Sequence, residues 1–141
     1  MTARYGGASG TSRWFSSAGG ALAEPEAQAA AGAVRETRHL HDGLIQRQVW
    51  QRGSLVRQDD LNAEGRPIRR LSYQHGRLAR REYFGGDGRL VSTELFDAQG
   101  FITRSIGPGS TQWDYERGVP VRCRRGETWF VKRGDRWIAQ R

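Results

Sequence analysis

Tyr73-Gln74-His75-Gly76-Arg77-Leu78, Tyr83-Phe84-Gly85-Gly86-Asp87-Gly88-Arg89-Leu90 and Leu95-Phe96-Asp97-Ala98-Gln99-Gly100-Phe101-Ile102 repeat one arrangement. An aromatic residue precedes a short polar turn closed by glycine, and an aliphatic residue follows two positions later. The arrangement extends outward in the chain. Turn glycines stand at 43, 53, 65, 76, 88 and 100, and the second residue after each is Ile45, Leu55, Pro67, Leu78, Leu90 and Ile102. Trp50, Leu61, Tyr73, Phe84 and Phe96 come three or four residues before the next glycine. Such a reversal, about every dozen residues, is the spacing of short antiparallel strands, and it excludes helices over residues 40–106.

Typing the turns predicts a register. Asp42-Gly43, Arg52-Gly53 and His75-Gly76 read as two-residue loops; Ala63-Glu64-Gly65, Gly86-Asp87-Gly88 and Ala98-Gln99-Gly100 read as three-residue loops closed by a left-handed glycine. Counted outward, Leu40 faces Ile45, Trp50 faces Leu55, Leu61 faces Pro67, Tyr73 faces Leu78, Phe84 faces Leu90 and Phe96 faces Ile102. Each such pair contributes roughly 0.2–1 kcal/mol. Continued along the strands, the register sets Asp59 against Arg69, Arg69 against Glu82, Arg80 against Glu94 and Glu94 against Arg104. Val56, Ile68, Ala79, Val91 and Leu95 then share the other face with Gln58, Arg70, Arg81 and Thr93. Neither face is uniformly apolar. The expected fold is therefore all-β: a single-layer antiparallel β-meander of six or seven short hairpin strands over residues 35–106, not half of a sandwich. Arginine stems can roof the aromatic rings while their heads stay wet.

Past Gly100 the period fails. Gly107-Pro108-Gly109-Ser110 predicts a loop, and residues 107–141 read as atypical C-terminal hairpins capping the sheet, with Trp113, Trp129 and Trp137 clustered at its far end. Charge concentrates in the same region. The chain carries 23 Lys and Arg against 15 Asp and Glu, and residues 117–141 hold eight of the basic residues but only Glu127 and Asp135 as acids. Every basic residue except Lys132 is arginine, a skew that GC-rich coding also produces.

With 141 residues, 36 % of them hydrophobic, the chain holds one domain at most and no large core. No apolar run approaches the roughly 18 residues of a membrane helix. The single Cys123 excludes an internal disulfide framework. Residues 1–34, rich in Gly, Ala, Ser and Thr, read as a disordered or targeting leader, with two helical turns available to Ala27–Val34 after Pro25. A plain leader on a cytoplasmic protein is the first reading. Arg13-Trp14-Phe15-Ser16-Ser17 also resembles a mitochondrial presequence site, and Ala21-Leu22-Ala23 resembles a signal-peptidase site without its apolar stretch.

Catalytic and metal chemistry finds little support. His39 and His41 flank Leu40 on one expected strand, which suits a solvated edge better than zinc, for which a full ligand set is lacking. Cys123 lies between Arg122 and Arg124 but has no evident orienting base. Glu82 and Glu94 each gain an arginine neighbour, which favours structural pairing over acid–base work. Gly85-Gly86-Asp87-Gly88 lacks the Lys-Ser/Thr and the helix of a phosphate loop. No cofactor, metal site or catalytic residue is expected.

One constellation suits binding. Arg122, Arg124, Arg125, Lys132, Arg133 and Arg136, interleaved with Trp129 and Trp137 and extended by Arg117, Phe130 and Arg141, have the composition of a surface for nucleic acid or anionic lipid. A solvated basic face is the alternative.

Units such as Tyr73-Gln74-His75-Gly76-Arg77-Leu78 and Leu95–Ile102 resemble the MORN-variant repeats of bacterial antitoxin-like proteins, over about residues 40–106. Gly88-Arg89-Leu90-Val91 and Phe96-Asp97-Ala98-Gln99-Gly100 are also similar to the YD repeats of RHS shell proteins, although six units do not enclose a volume. Both resemblances imply a non-catalytic β-repeat scaffold. The leading expectation is a protein-binding module using exposed rows of side chains and open strand edges, with edge-to-edge self-association as one form. A basic binder of nucleic acid or lipid through residues 117–141 comes second.

Overall fold

The structure is a computed structural model and describes residues 10–16, 19–23, 26, 30 and 32–140. Among these, thirteen strands form: β1 (Gly10–Ser16), β2 (Ala21–Leu22), β3 (Ala33–His39), β4 (Ile45–Gln51), β5 (Ser54–Leu61), β6 (Pro67–Gln74), β7 (Arg77–Phe84), β8 (Leu90–Phe96), β9 (Ile102–Ile106), β10 (Gln112–Glu116), β11 (Val119–Arg125), β12 (Thr128–Arg133) and β13 (Arg136–Gln140). The fold is an all-β antiparallel meander. It divides into two compact units, Met1–Gly76 and Arg77–Arg141, so the division falls inside the stretch read as one repeat sheet. Strand order is β2-β1-β3-β4-β5-β6 in the first unit and follows the chain from β7 to β13 in the second. No helix among the described residues is long and apolar enough to cross a membrane.

The six repeat glycines all adopt positive φ, between +73° and +90°. Arg52-Gly53 and Arg117-Gly118 have positive φ at both central positions, the type I′ geometry whose twist matches the flanking strands. Two of the three-residue turns are fastened by the side chain that precedes them. Asn62 Oδ1 accepts the backbone N–H groups of Glu64 and Arg66, and Asp97 Oδ1 does the same for Gln99 and Phe101. The expected two-residue loop at Asp42-Gly43 is instead longer. His39 N–H donates to the Leu44 carbonyl and Gly43 N–H to the His39 carbonyl, which draws Leu40 into the turn at 72 % exposure. Ile45 therefore faces Arg38, not Leu40. At Gly43 a Cβ would sit 2.9 Å from the Ala63 Cβ of the neighbouring turn, so glycine is required by space as well as by φ.

The expected clasps form beside four other turns: Trp50 pairs with Leu55, Leu61 with Pro67, Phe84 with Leu90 and Phe96 with Ile102. Immediately beyond each clasp the register slips by one. The residue passed over is Val56, Ile68, Val91 and Thr103 in turn, and Val121 after Tyr115–Pro120 repeats the pattern. A β-bulge thus recurs at the β-branched residue that follows each clasp. Bulges increase local twist, which a thin sheet of hairpins accommodates easily.

This slip corrects the charge ladder. Asp59 pairs with Arg70 instead of Arg69, which faces Asp60; Glu94 pairs with Arg81 instead of Arg80, and Arg104 faces Leu95. Arg69 donates from Nε and Nη2 to Asp60 Oδ2 at 2.9 and 2.6 Å, and Arg70 Nε donates to Asp59 Oδ1 at 2.7 Å. Gln58, Asp59, Asp60 and Leu61 are four consecutive buried residues in β5. Buried carboxylates demand such partners, because unpaired charge out of water is costly.

Part of the segment read as a leader is strand. β1 pairs with β3 over seven residues, and Trp14 packs with Ala33, Leu22, Ala30 and Trp50 in the main apolar cluster, its ring 5.8 Å from that of Trp50. Of the expected helical turns, residues 27–29 and 31 lie outside the described residues, and Ala33 and Val34 begin β3. Residues 1–9 also lie outside them.

Candidate functional site

The C-terminal basic residues sit on three consecutive strands, β11, β12 and β13. Their pairing fixes which share a face: Arg124 lies opposite Trp129, Arg122 opposite Val131, Lys132 opposite Trp137 and Arg133 opposite Arg136. Because faces alternate along a strand, Arg122, Arg124, Trp129, Arg133 and Arg136 share one face. Arg125, Lys132 and Trp137 share the other. The basic stretch is thus divided by the pleat.

The first face is partly self-satisfied. Arg122 lies over the Trp129 ring at 4.3 Å and Arg124 at 5.4 Å, a cation–π stack that covers the indole. Arg122 also donates from Nε and Nη2 to Asp114 Oδ2 at 2.9 and 2.6 Å, while Arg104 and Gln112 donate to Asp114 Oδ1. Burial pushes the Asp114 carboxyl up, but the hydrogen bonds from Arg122, Gln112 and Arg104 outweigh it and hold the group below its ordinary range. An open groove of about 710 Å³ runs here, lined by Leu95, Arg104, Asp114, Arg122, Val131 and Arg133 among others.

The second face carries Trp113, Phe130 and Trp137. Trp137 meets Trp113 edge-on with centroids 5.3 Å apart, and Trp113, Cys123 and Phe130 lie side by side across β10, β11 and β12. Farther along the same face, Arg81 lies over Tyr83 and Phe96 and donates to Glu94 at 2.7 Å. The expected three-tryptophan cluster is therefore a pair, because Trp129 points to the opposite side.

What distinguishes β11 to β13 is the charge left over. Arg125, Lys132, Arg133 and Arg136 take part in no ion pair among the described residues, whereas Arg122 is neutralised by Asp114. Arg133 and Arg136 moreover oppose each other directly beside the Gly134-Asp135 turn, a like-charge pair that destabilises a hairpin. Arg141 lies outside the described residues. This opposition was open to sequence reasoning, since a two-residue turn at Gly134-Asp135 dictates it. The Gly126-Glu127 turn that separates β11 from β12 is opened by a glycine of positive φ, the same signal that marks the repeat turns.

The remaining candidates are placed as follows. His39 ends β3 and its Nε2 lies 3.1 Å from Gln46 Oε1, whereas His41 and His75 sit in turns, so the first two do not share a strand. Among the described residues no group of three His, Cys, Asp or Glu side chains is arranged to hold a metal ion. Cys123 is buried between Trp113 and Phe130. Glu82 and Glu94 point to opposite faces, each beside an arginine. Gly85–Gly88 is a hairpin turn in which Asp87 Oδ1 accepts the Arg89 N–H.

No family model, curated protein or solved structure matches this chain.

Proposed function

We propose that this protein is a non-catalytic interaction module that binds a protein partner, with an antitoxin-like role as the specific form implied by its repeat resemblance. One observation carries the reading. All five residues of β13 are exposed, including Trp137 at 37 % and Ile138 at 51 %, and β13 has β12 as its one strand neighbour among the described residues. Large apolar side chains on an open strand are the usual ingredients of recognition by strand addition. The dispersal of ionisable residues into local ion pairs supports a binding role over catalysis, which instead gathers such groups in a cleft.

The test is capture from an extract of the native host, followed by reconstitution with purified components. A stoichiometric partner that binds the purified chain directly is the expected result. A monomer that recovers no partner overturns the proposal.

The unpaired cations on β11 to β13 favour a second reading, a binder of nucleic acid or anionic lipid. Its test is the variant with Arg124→Glu and Arg125→Glu. Loss of oligonucleotide or anionic-vesicle binding with the sheet intact supports it, and undetectable binding of the native chain at low salt removes it.

A further inference from the structure

We infer that the open edge of β13 takes up an extended acidic peptide segment of the partner, paired antiparallel as one more strand; this rests on the protein-binding reading above. Three observations converge on this edge.

The first is its regularity. Five consecutive residues of β13 pair with β12 from Trp129–Gln140 to Arg133–Arg136 without a register shift, and no proline interrupts them. Bulges, prolines and very short strands are the usual protections of an edge. β2, the outermost strand of the first unit, is only two residues long and so is protected in that way.

The second is the direction of its backbone groups. The residues flanking a two-residue turn exchange both hydrogen bonds, so Arg136, Ile138 and Gln140 bond to β12. The N–H and C=O groups of Trp137 and Ala139 therefore point outward, giving an incoming strand two donors and two acceptors in regular alternation.

The third is charge. Arg133 and Arg136 face each other without an intervening carboxylate, and Lys132 and Arg125 lie unpaired on the other face. A carboxylate on a strand beside β13, level with Arg136, would sit next to the opposed pair. Two positions along, the incoming residue would meet Ile138, and the residue between them would meet Trp137 on the aromatic face. The complement is thus an extended segment with an acidic residue level with Arg136 and apolar residues level with Trp137 and Ile138. A nucleic acid satisfies the charge but not the outward N–H and C=O groups, and a second copy of β13 would add more arginine.

The test uses the full chain and two fluorescein-labelled nine-residue peptides of alternating valine and threonine, one with glutamate and one with lysine at the central position, read by anisotropy. The glutamate peptide should bind saturably, and the lysine peptide should not. Ala139→Pro removes an outward N–H without touching a bond to β12, and Arg136→Glu reverses the key charge; each should weaken the glutamate peptide by about tenfold or more. Near-ultraviolet dichroism of the Trp113–Trp137 pair verifies that both variants keep the hairpin. If Ala139→Pro is unfolded, Arg136→Glu and the peptide charge comparison still decide the matter.

Failure of the glutamate peptide to bind overturns the inference. So does a dimer that Ala139→Pro dissociates without any peptide effect. Binding of a twelve-residue polyuridylate that is lost in Arg136→Glu but kept in Ala139→Pro, with the peptide unbound, equally overturns it in favour of phosphate. A host partner captured alike by the native chain and both variants refutes the edge while leaving the interaction module standing; capture of no partner refutes the module itself.

Discussion

The two units solve the same problem differently. A one-layer sheet has no second layer to bury its apolar face, so something else must exclude water from its strands. The first unit packs Trp14, Trp50 and Ala33 at one place and, on β5, sinks Asp59 and Asp60 beneath arginine partners from β6. The second lays Trp113, Phe130 and Trp137 along one face and its Arg104–Asp114–Arg122 cluster, with Trp129 beneath Arg122, along the other, with Cys123 as its buried apolar residue. The β5 carboxylates of the first unit are the more deeply buried, with the Asp60 side chain 5 % exposed against 13 % for Asp114 in the second. Their energetic weight should differ accordingly, since pairs withdrawn from water count for more than solvated ones.

The largest effect should come from the apolar cluster. Trp14→Ala, at a site only 9 % exposed, should destabilise the chain by about 3 kcal/mol in chemical denaturation. A negligible loss would mean that β1 does not hold the first unit together. Asp60→Ala should follow closely, at about 2–3 kcal/mol, because it leaves the Arg69 guanidinium and the Gln58 amide without their acceptor. Equal, small losses for Asp60→Ala and Asp114→Asn would erase the proposed difference between the units.

Asp114→Asn is expected to cost less, about 1 kcal/mol at neutral pH, since the amide keeps one acceptor oxygen and the carboxylate it replaces is less buried than that of Asp60. Its pH dependence has a definite sign. The folded carboxyl titrates below its ordinary value of 3.8, so its contribution is fully present above that value and is lost as pH falls through the lowered one. The stability gap between the native chain and Asp114→Asn should therefore close in acid, and a gap that widens would contradict the assignment. The smallest effect belongs to Arg124→Ala, about 0.5 kcal/mol, with Trp129 becoming more accessible to a fluorescence quencher.

Much of this architecture was legible in the glycine spacing, because each turn glycine leaves a local mark and each clasp lies beside it. Trp50–Leu55 and Phe96–Ile102 needed only the turn type. The ion pairs were misplaced by one residue because Val56, Ile68, Val91 and Thr103 carry no sign of a bulge individually; their shared position after the clasp is visible only once several pairings are compared. β1 was hidden by its Gly- and Ser-rich surroundings, since one tryptophan docking on Ala33 and Trp50 outweighs a composition that favours disorder. For the candidate site, the residue types and the basic excess were evident. Their division between faces was not, because it depends on the register across β10 to β13, which sets Trp113 and Trp137 on one side and Trp129 on the other.

Amide hydrogen exchange along β13 tests the central claim most directly. If that strand has an open outer edge, the amides of Trp137 and Ala139 exchange rapidly while those of Arg136, Ile138 and Gln140 are protected by β12. Uniform protection of all five in the isolated monomer would show the edge already covered, and uniform rapid exchange would show that no ordered β12–β13 hairpin exists; either result contradicts the account.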